Sequence, residues 1–112
     1  MEARGKALLA AAAAEAKLAE RVTVLDVQEH TPVTDFFVLA SGTNRIQIKS
    51  ITEAVEDALR EVGERPGRAE GREGDRWVLL DFGDVVVHIF APVERAYYDL
   101  ERLWGDAPIV ER

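Results

Sequence analysis

The chain has 112 residues, 47% of them hydrophobic and 31% charged, a profile that supports one folded core and lies far from the composition of a disordered segment. With 21 acidic against 14 basic residues the net charge is −7, a field that repels nucleic acid on average and favours a basic protein as partner. Cysteine is absent, which excludes disulfides, thiolate metal sites and a cysteine nucleophile.

Residues 2–20 are dominated by Ala, Leu, Lys and Glu, strong helix formers, and Leu8, Leu9, Ala12, Ala16 and Ala19 make a rough apolar stripe that predicts a first helix. The run at 7–14 has the apolarity of a signal-peptide core, but Glu15, Lys17 and Glu20 follow at once within the same helical pattern. No apolar stretch approaches the roughly 20 residues that span a bilayer, so a soluble, cytoplasmic single domain is expected. Residues 22–27 are rich in β-branched side chains and predict a first strand that ends before Pro32. Residues 36–40 are apolar at every position, the pattern of a strand near the centre of a sheet.

The turn Ser41-Gly42-Thr43-Asn44 leads into a second helix, with Asn44 as N-cap and Gln47 completing a capping-box-like pair. Ile48, Ile51, Val55, Leu59 and Val62 recur at spacings of three and four before Gly63. Residues 63–75 carry glycines, a proline and many charges, which predicts a loop or a short edge strand around Arg68-Ala69-Glu70. Residues 76–80 and 84–90 read as a hairpin turning at Phe82-Gly83. Pro92 opens a last helix in which Val93, Ala96, Tyr97, Leu100, Leu103 and Trp104 form one stripe before Gly105. Helices alternating with strands predict an α/β fold, a mixed β-sheet with helices packed on it.

A turn at Phe82-Gly83 sets Asp81 opposite Asp84, Leu79 opposite Val86 and Trp77 opposite His88. One face of the hairpin is then aliphatic, with Val78, Leu80, Val85, Val87 and Ile89. The other carries Trp77, Leu79, Asp81, Asp84, Val86 and His88, a mixture expected to be exposed and suited to a partner. The plainer alternative has Trp77 covering the sheet edge and the aspartates capping the turn. Asp81 and Asp84 lack a third ligand for a metal, and His30 and His88 lack a zinc-site partner. Ser41-Gly42-Thr43 has neither the glycine spacing nor the lysine of a P-loop, and no serine sits in a nucleophile elbow. No catalytic residue, cofactor or metal is expected.

Four segments, Val24-Leu25-Asp26-Val27, residues 34–43, residues 77–90 and Tyr98-Asp99-Leu100-Glu101-Arg102-Leu103-Trp104, resemble the ribosomal silencing factors, the RsfS/iojap family, in order and over almost the whole chain. The resemblance implies a nucleotidyltransferase-like fold used as an interaction module. It implies binding to the large-subunit ribosomal protein L-fourteen, steric exclusion of the small subunit and repression of translation. Nucleotidyltransferases carry a Gly-Ser turn followed by an Asp-x-Asp pair that holds magnesium, whereas here Ser41-Gly42 is followed by no acid until Glu53. The fold therefore does not bring the activity with it. A large-subunit assembly factor and a nucleotidyltransferase-like enzyme are the alternatives. Carried over by motif, Trp77, Leu79, Asp81, Phe82 and Asp84 are the leading contacts and Tyr98 and Trp104 secondary ones, with a core role as the alternative for Trp104. The resemblance also implies a homodimer when the protein is free.

Overall fold

In a computed structural model that describes residues 1–74 and 76–112, helix α1 (Ala3–Ala16) leads into strands β1 (Glu20–Asp26) and β2 (Phe36–Ser41) and the long helix α2 (Arg45–Glu61). Strands β3 (Arg68–Glu70), β4 (Trp77–Asp81) and β5 (Val85–Phe90) follow, and then two short helices, α3 (Pro92–Tyr98) and α4 (Leu100–Leu103). The strands form one sheet in the order β1-β2-β5-β4-β3. β2 and β5 run parallel and all other neighbours antiparallel, so the sheet is mixed, as expected. The middle strand is β5, buried at every position, with the apolar β2 beside it. The edge strand anticipated at Arg68-Ala69-Glu70 is present, while the last residue of the preceding prediction for 63–75, Asp75, lies outside the described residues.

Helix α1 stops at Ala16, four residues short of the predicted end. Leu18 N–H donates to Glu15 O and Ala19 N–H to Ala14 O, the paired bonds that close a helix through a left-handed residue, and Leu18 takes that conformation with φ 61°. The buried stripe also differs from the expected one: Ala7, Ala10, Ala11 and Ala14 are fully buried, while Ala12 and Ala16 are exposed. Alanines let α1 close in on α2 and β2, where leucines would hold the backbones apart.

Helix α2 follows its pattern, with Ile48, Ile51, Val55 and Leu59 buried. Asn44 Oδ1 accepts from Gln47 N–H at 2.9 Å, which confirms the N-cap. Gln47 does not complete a box on Asn44. Its Oε1 accepts from Thr43 N–H, and its Nε2 donates to the carbonyls of Lys17 and Leu18, so it ties the start of α2 to the end of α1. Gly42 is needed for the approach of α2, since a Cβ there would lie 2.8 Å from Ile48 Cγ1.

The predicted last helix is broken. Asp99, at φ 46°, ends α3, and its side chain then accepts from Arg102 N–H to cap α4. The break turns Val93, Ala96, Tyr97 and Leu103 outward and leaves Leu100 and Trp104 to pack. Beyond α4 the chain runs along β1, where Asp26 N–H donates to Pro108 O and Val110 N–H to Val24 O, covering an otherwise open sheet edge. Among the described residues two apolar clusters result. The larger lies between the sheet and α1 and α2; a smaller one of Leu25, Val27, Leu39, Phe90 and Ala107 lies on the other face, beneath Leu100 and Trp104.

Candidate partner-binding face

Side chains alternate along β4, so Val78 and Leu80 are buried in the larger core while Trp77, Leu79 and Asp81 share the opposite face, all three half-buried. The hairpin pairs Trp77 with Phe90, Leu79 with His88 and Asp81 with Val86. Phe82 N–H donates to Val85 O, so the turn is Gly83-Asp84, with Gly83 at φ 91°. The expected turn lay one residue earlier and its pairs two residues away. A register shift of two leaves each side chain on its original face, which is why the predicted row Trp77-Leu79-Asp81 survives. Two members of the predicted contact set are placed elsewhere. Phe82 points into the larger core and is 8% exposed, and Asp84 sits in the turn rather than on the strand.

The face is less open than expected. Val86 and His88 are buried, His88 among the rings of Trp77, Phe37 and Phe90, and the part of the face nearest β1 and β2 is covered by Leu100 and Trp104. A train of aromatic rings crosses it. Tyr98 lies on Trp77 with centroids 4.6 Å apart, Trp77 on Phe90 at 5.0 Å, and His88 on Phe37 at 5.4 Å. Trp104 closes the row on Phe37 at 5.5 Å and packs on the smaller cluster, the role its core alternative described. Tyr98 is brought beside Trp77 and remains 48% exposed. Next to it Tyr97, placed on a buried stripe by periodicity alone, stands out at 80% exposure.

Polar contacts hold this arrangement. Asp81 Oδ1 accepts from Gly83 N–H at 2.8 Å, and Arg68 of β3 lies opposite Asp81 in the ladder. Asp84 Oδ1 lies 2.8 Å from the buried Lys6 Nζ, which also bonds Glu64 Oε1 at 3.1 Å. Burial pulls the Lys6 pKa down, but its bonds to Asp84 and Glu64 outweigh that and hold it above its ordinary value. Trp77 Nε1–H donates to His88 Nδ1 at 3.0 Å. Burial pushes the His88 pKa down to about 4, against a small upward pull from Asp81, so the imidazole is neutral at pH 7 with its proton on Nε2.

At the far end Arg95, 2% exposed, donates to both oxygens of Glu101 at 3.0 Å and to Ser41 Oγ at 3.0 Å, holding α3 and α4 over β2. The hydrogen bond from Arg95 holds the Glu101 carboxyl below its ordinary value, against the upward effect of burial. Nothing in the sequence pattern marked Lys6 or Arg95, whose partners lie far away or across a helix break. Among the described residues no three His, Asp or Glu side chains gather as a metal site.

A family model described as "Ribosomal silencing factor during starvation" matches residues 1–112. The chain belongs to the ribosomal silencing factor family. It is 46% identical over 103 residues to the ribosomal silencing factor RsfS of Halalkalibacterium halodurans, a match covering 92% of this chain and 88% of that one. It is 43% identical to the RsfS of Bacillus subtilis, over 92% of this chain and 87% of that one. A crystal structure of a Chromobacterium violaceum protein superposes with a TM-score of 0.90 at 37% identity, covering 94% of this chain and 88% of that chain. The mixed five-stranded sheet flanked by helices is therefore a fold that this silencing factor family member shares with a solved protein.

Proposed function

We propose that this chain binds the large ribosomal subunit through ribosomal protein L-fourteen and, by occupying that surface, blocks joining of the small subunit. The observation that carries the reading is the row Trp77-Leu79-Asp81, half-buried beside the exposed Tyr98 in a member of the silencing factor family. Trp77 and Leu79 supply apolar area around which water is excluded, and Asp81 complements a basic partner. Tyr98 extends the face. Phe82 and Asp84 contribute by shaping the turn that ends β4, and Trp104 by supporting Phe37 from behind. Action by steric exclusion needs no turnover, metal or cofactor, and with a charge of −7 the chain makes its contacts to protein rather than RNA. It works in the cytoplasm as one domain. When free it forms a homodimer through surfaces that overlap the partner face, and sedimentation showing monomer alone at micromolar concentration would reject that.

The test is sedimentation of the purified chain with isolated large subunits, followed by addition of small subunits. Co-sedimentation with fewer joined ribosomes, both lost in Trp77→Ala, is the expected outcome. Binding without a block on joining would favour the assembly-factor reading, and magnesium-dependent turnover of a nucleotide would favour the enzyme.

A further inference from the structure

His88 sits opposite Leu79 in the hairpin, 5% exposed, and presents Nδ1 to the indole N–H of Trp77 at 3.0 Å. The Trp77 ring packs against those of Tyr98 and Phe90 at tilted angles of 44° and 32°, contacts that confine the indole but do not choose which edge turns inward. The hydrogen bond makes that choice. With Nε1–H committed to a buried acceptor, the part of the half-exposed indole offered outward is carbon.

We propose that His88 is a positioning residue for the partner-binding face, whose Nδ1 lone pair holds Trp77 in the orientation offered to the partner and whose protonation at that same nitrogen releases it. The proposal rests on the partner-binding reading of Trp77. A proton on Nδ1 sets two N–H groups against each other, so the bond is lost and the indole is repelled. Among the described residues, Asp81 on β4 is the charged group whose field reaches His88. Leu79 on β4, Phe37 and Leu39 on β2 and Phe90 on β5 bring no charge to it, and Tyr98 of α3 lies beyond the Trp77 ring.

The test compares wild type with His88→Asn, which can place a non-titrating carbonyl oxygen where Nδ1 stood, and with His88→Leu, which removes the acceptor at similar volume. The indole N–H resonance of Trp77, distinguished by Trp104→Phe, is followed by NMR in the free protein. In wild type it should be protected from solvent exchange at pH 7 and should move on acidification with a midpoint near 4. In His88→Leu it should exchange freely, and affinity for isolated large subunits should fall by about tenfold, the effect of one buried donor left unsatisfied. His88→Asn should restore protection and affinity and abolish the titration. A protected indole or wild-type affinity in His88→Leu would overturn the proposal. Failure of wild type itself to bind large subunits would reject the partner reading, while the indole titration would still decide whether His88 holds Trp77.

Discussion

Leu18 adopts a left-handed backbone conformation although it is not glycine, at φ 61° and with 79% of its surface exposed. A side chain in that conformation costs roughly 1–2 kcal/mol, and an exposed leucine recovers little of it by burial. Glycine removes the strain but gives the unfolded chain more freedom, so Leu18→Gly should stabilise the protein by about 0.5 kcal/mol in urea unfolding. An unchanged or lower midpoint would mean that Leu18 makes a contact that the helix-end geometry does not reveal. The two tryptophans divide similarly by environment. Trp77→Ala should weaken partner binding by about 2 kcal/mol with the fold retained, as for a central aromatic anchor. Trp104→Ala, which opens the smaller cluster against Phe37, should instead cost about 2 kcal/mol of stability, less than a fully buried tryptophan would. Binding titrations and urea melts of both variants separate the roles, and equal effects on both measurements would dissolve the distinction.

At the scale of elements, what was legible depended on periodicity and what was hidden depended on distance. Ile48, Ile51, Val55 and Leu59 repeat at helical spacing, and the alternating β4 row keeps its face under any even register shift, so α2 and the candidate face could be read directly. The turn itself was ambiguous because Gly83 fits either the first or the second position of a two-residue loop, and the docking of Lys6 on Asp84 fits the later turn. The break at Asp99 escaped a helical count, since a stripe drawn through residues 93–104 looks continuous until one residue leaves the helical region. That break is spanned by Arg95 and Glu101. Arg95→Met should cost about 2–3 kcal/mol, near the low end for a broken buried pair because Glu101 keeps some access to water. Arg95→Met combined with Glu101→Leu should recover part of that loss, and a double variant less stable than the single one would show that the pair contributes net stability beyond what apolar packing can replace.

Across the whole molecule the shifted groups combine into one pH profile. His88 is harder to protonate in the folded protein than in the unfolded chain, so between its ordinary value of 6.5 and its folded value of about 4 the unfolded state binds more protons and stability falls as the solution is acidified. The complete loss across that window is on the order of 3 kcal/mol, set against a total that is commonly 5–15 for a domain. Glu101, also shifted down, contributes stability above its ordinary value that disappears as pH falls through its lower folded value, so it steepens the same limb at more acid pH. Lys6 is shifted up, and its contribution is present below 10.5 and is lost as pH rises through its folded value. Stability should therefore be level from about pH 7 to 10 and decline on both sides, earlier on the acid side. Urea unfolding at intervals from pH 3 to 8 should show the acid decline, and His88→Asn should remove its first part while leaving the fall below pH 4.5. A wild-type profile that stays flat down to pH 5 would mean that His88 is not desolvated as its burial requires.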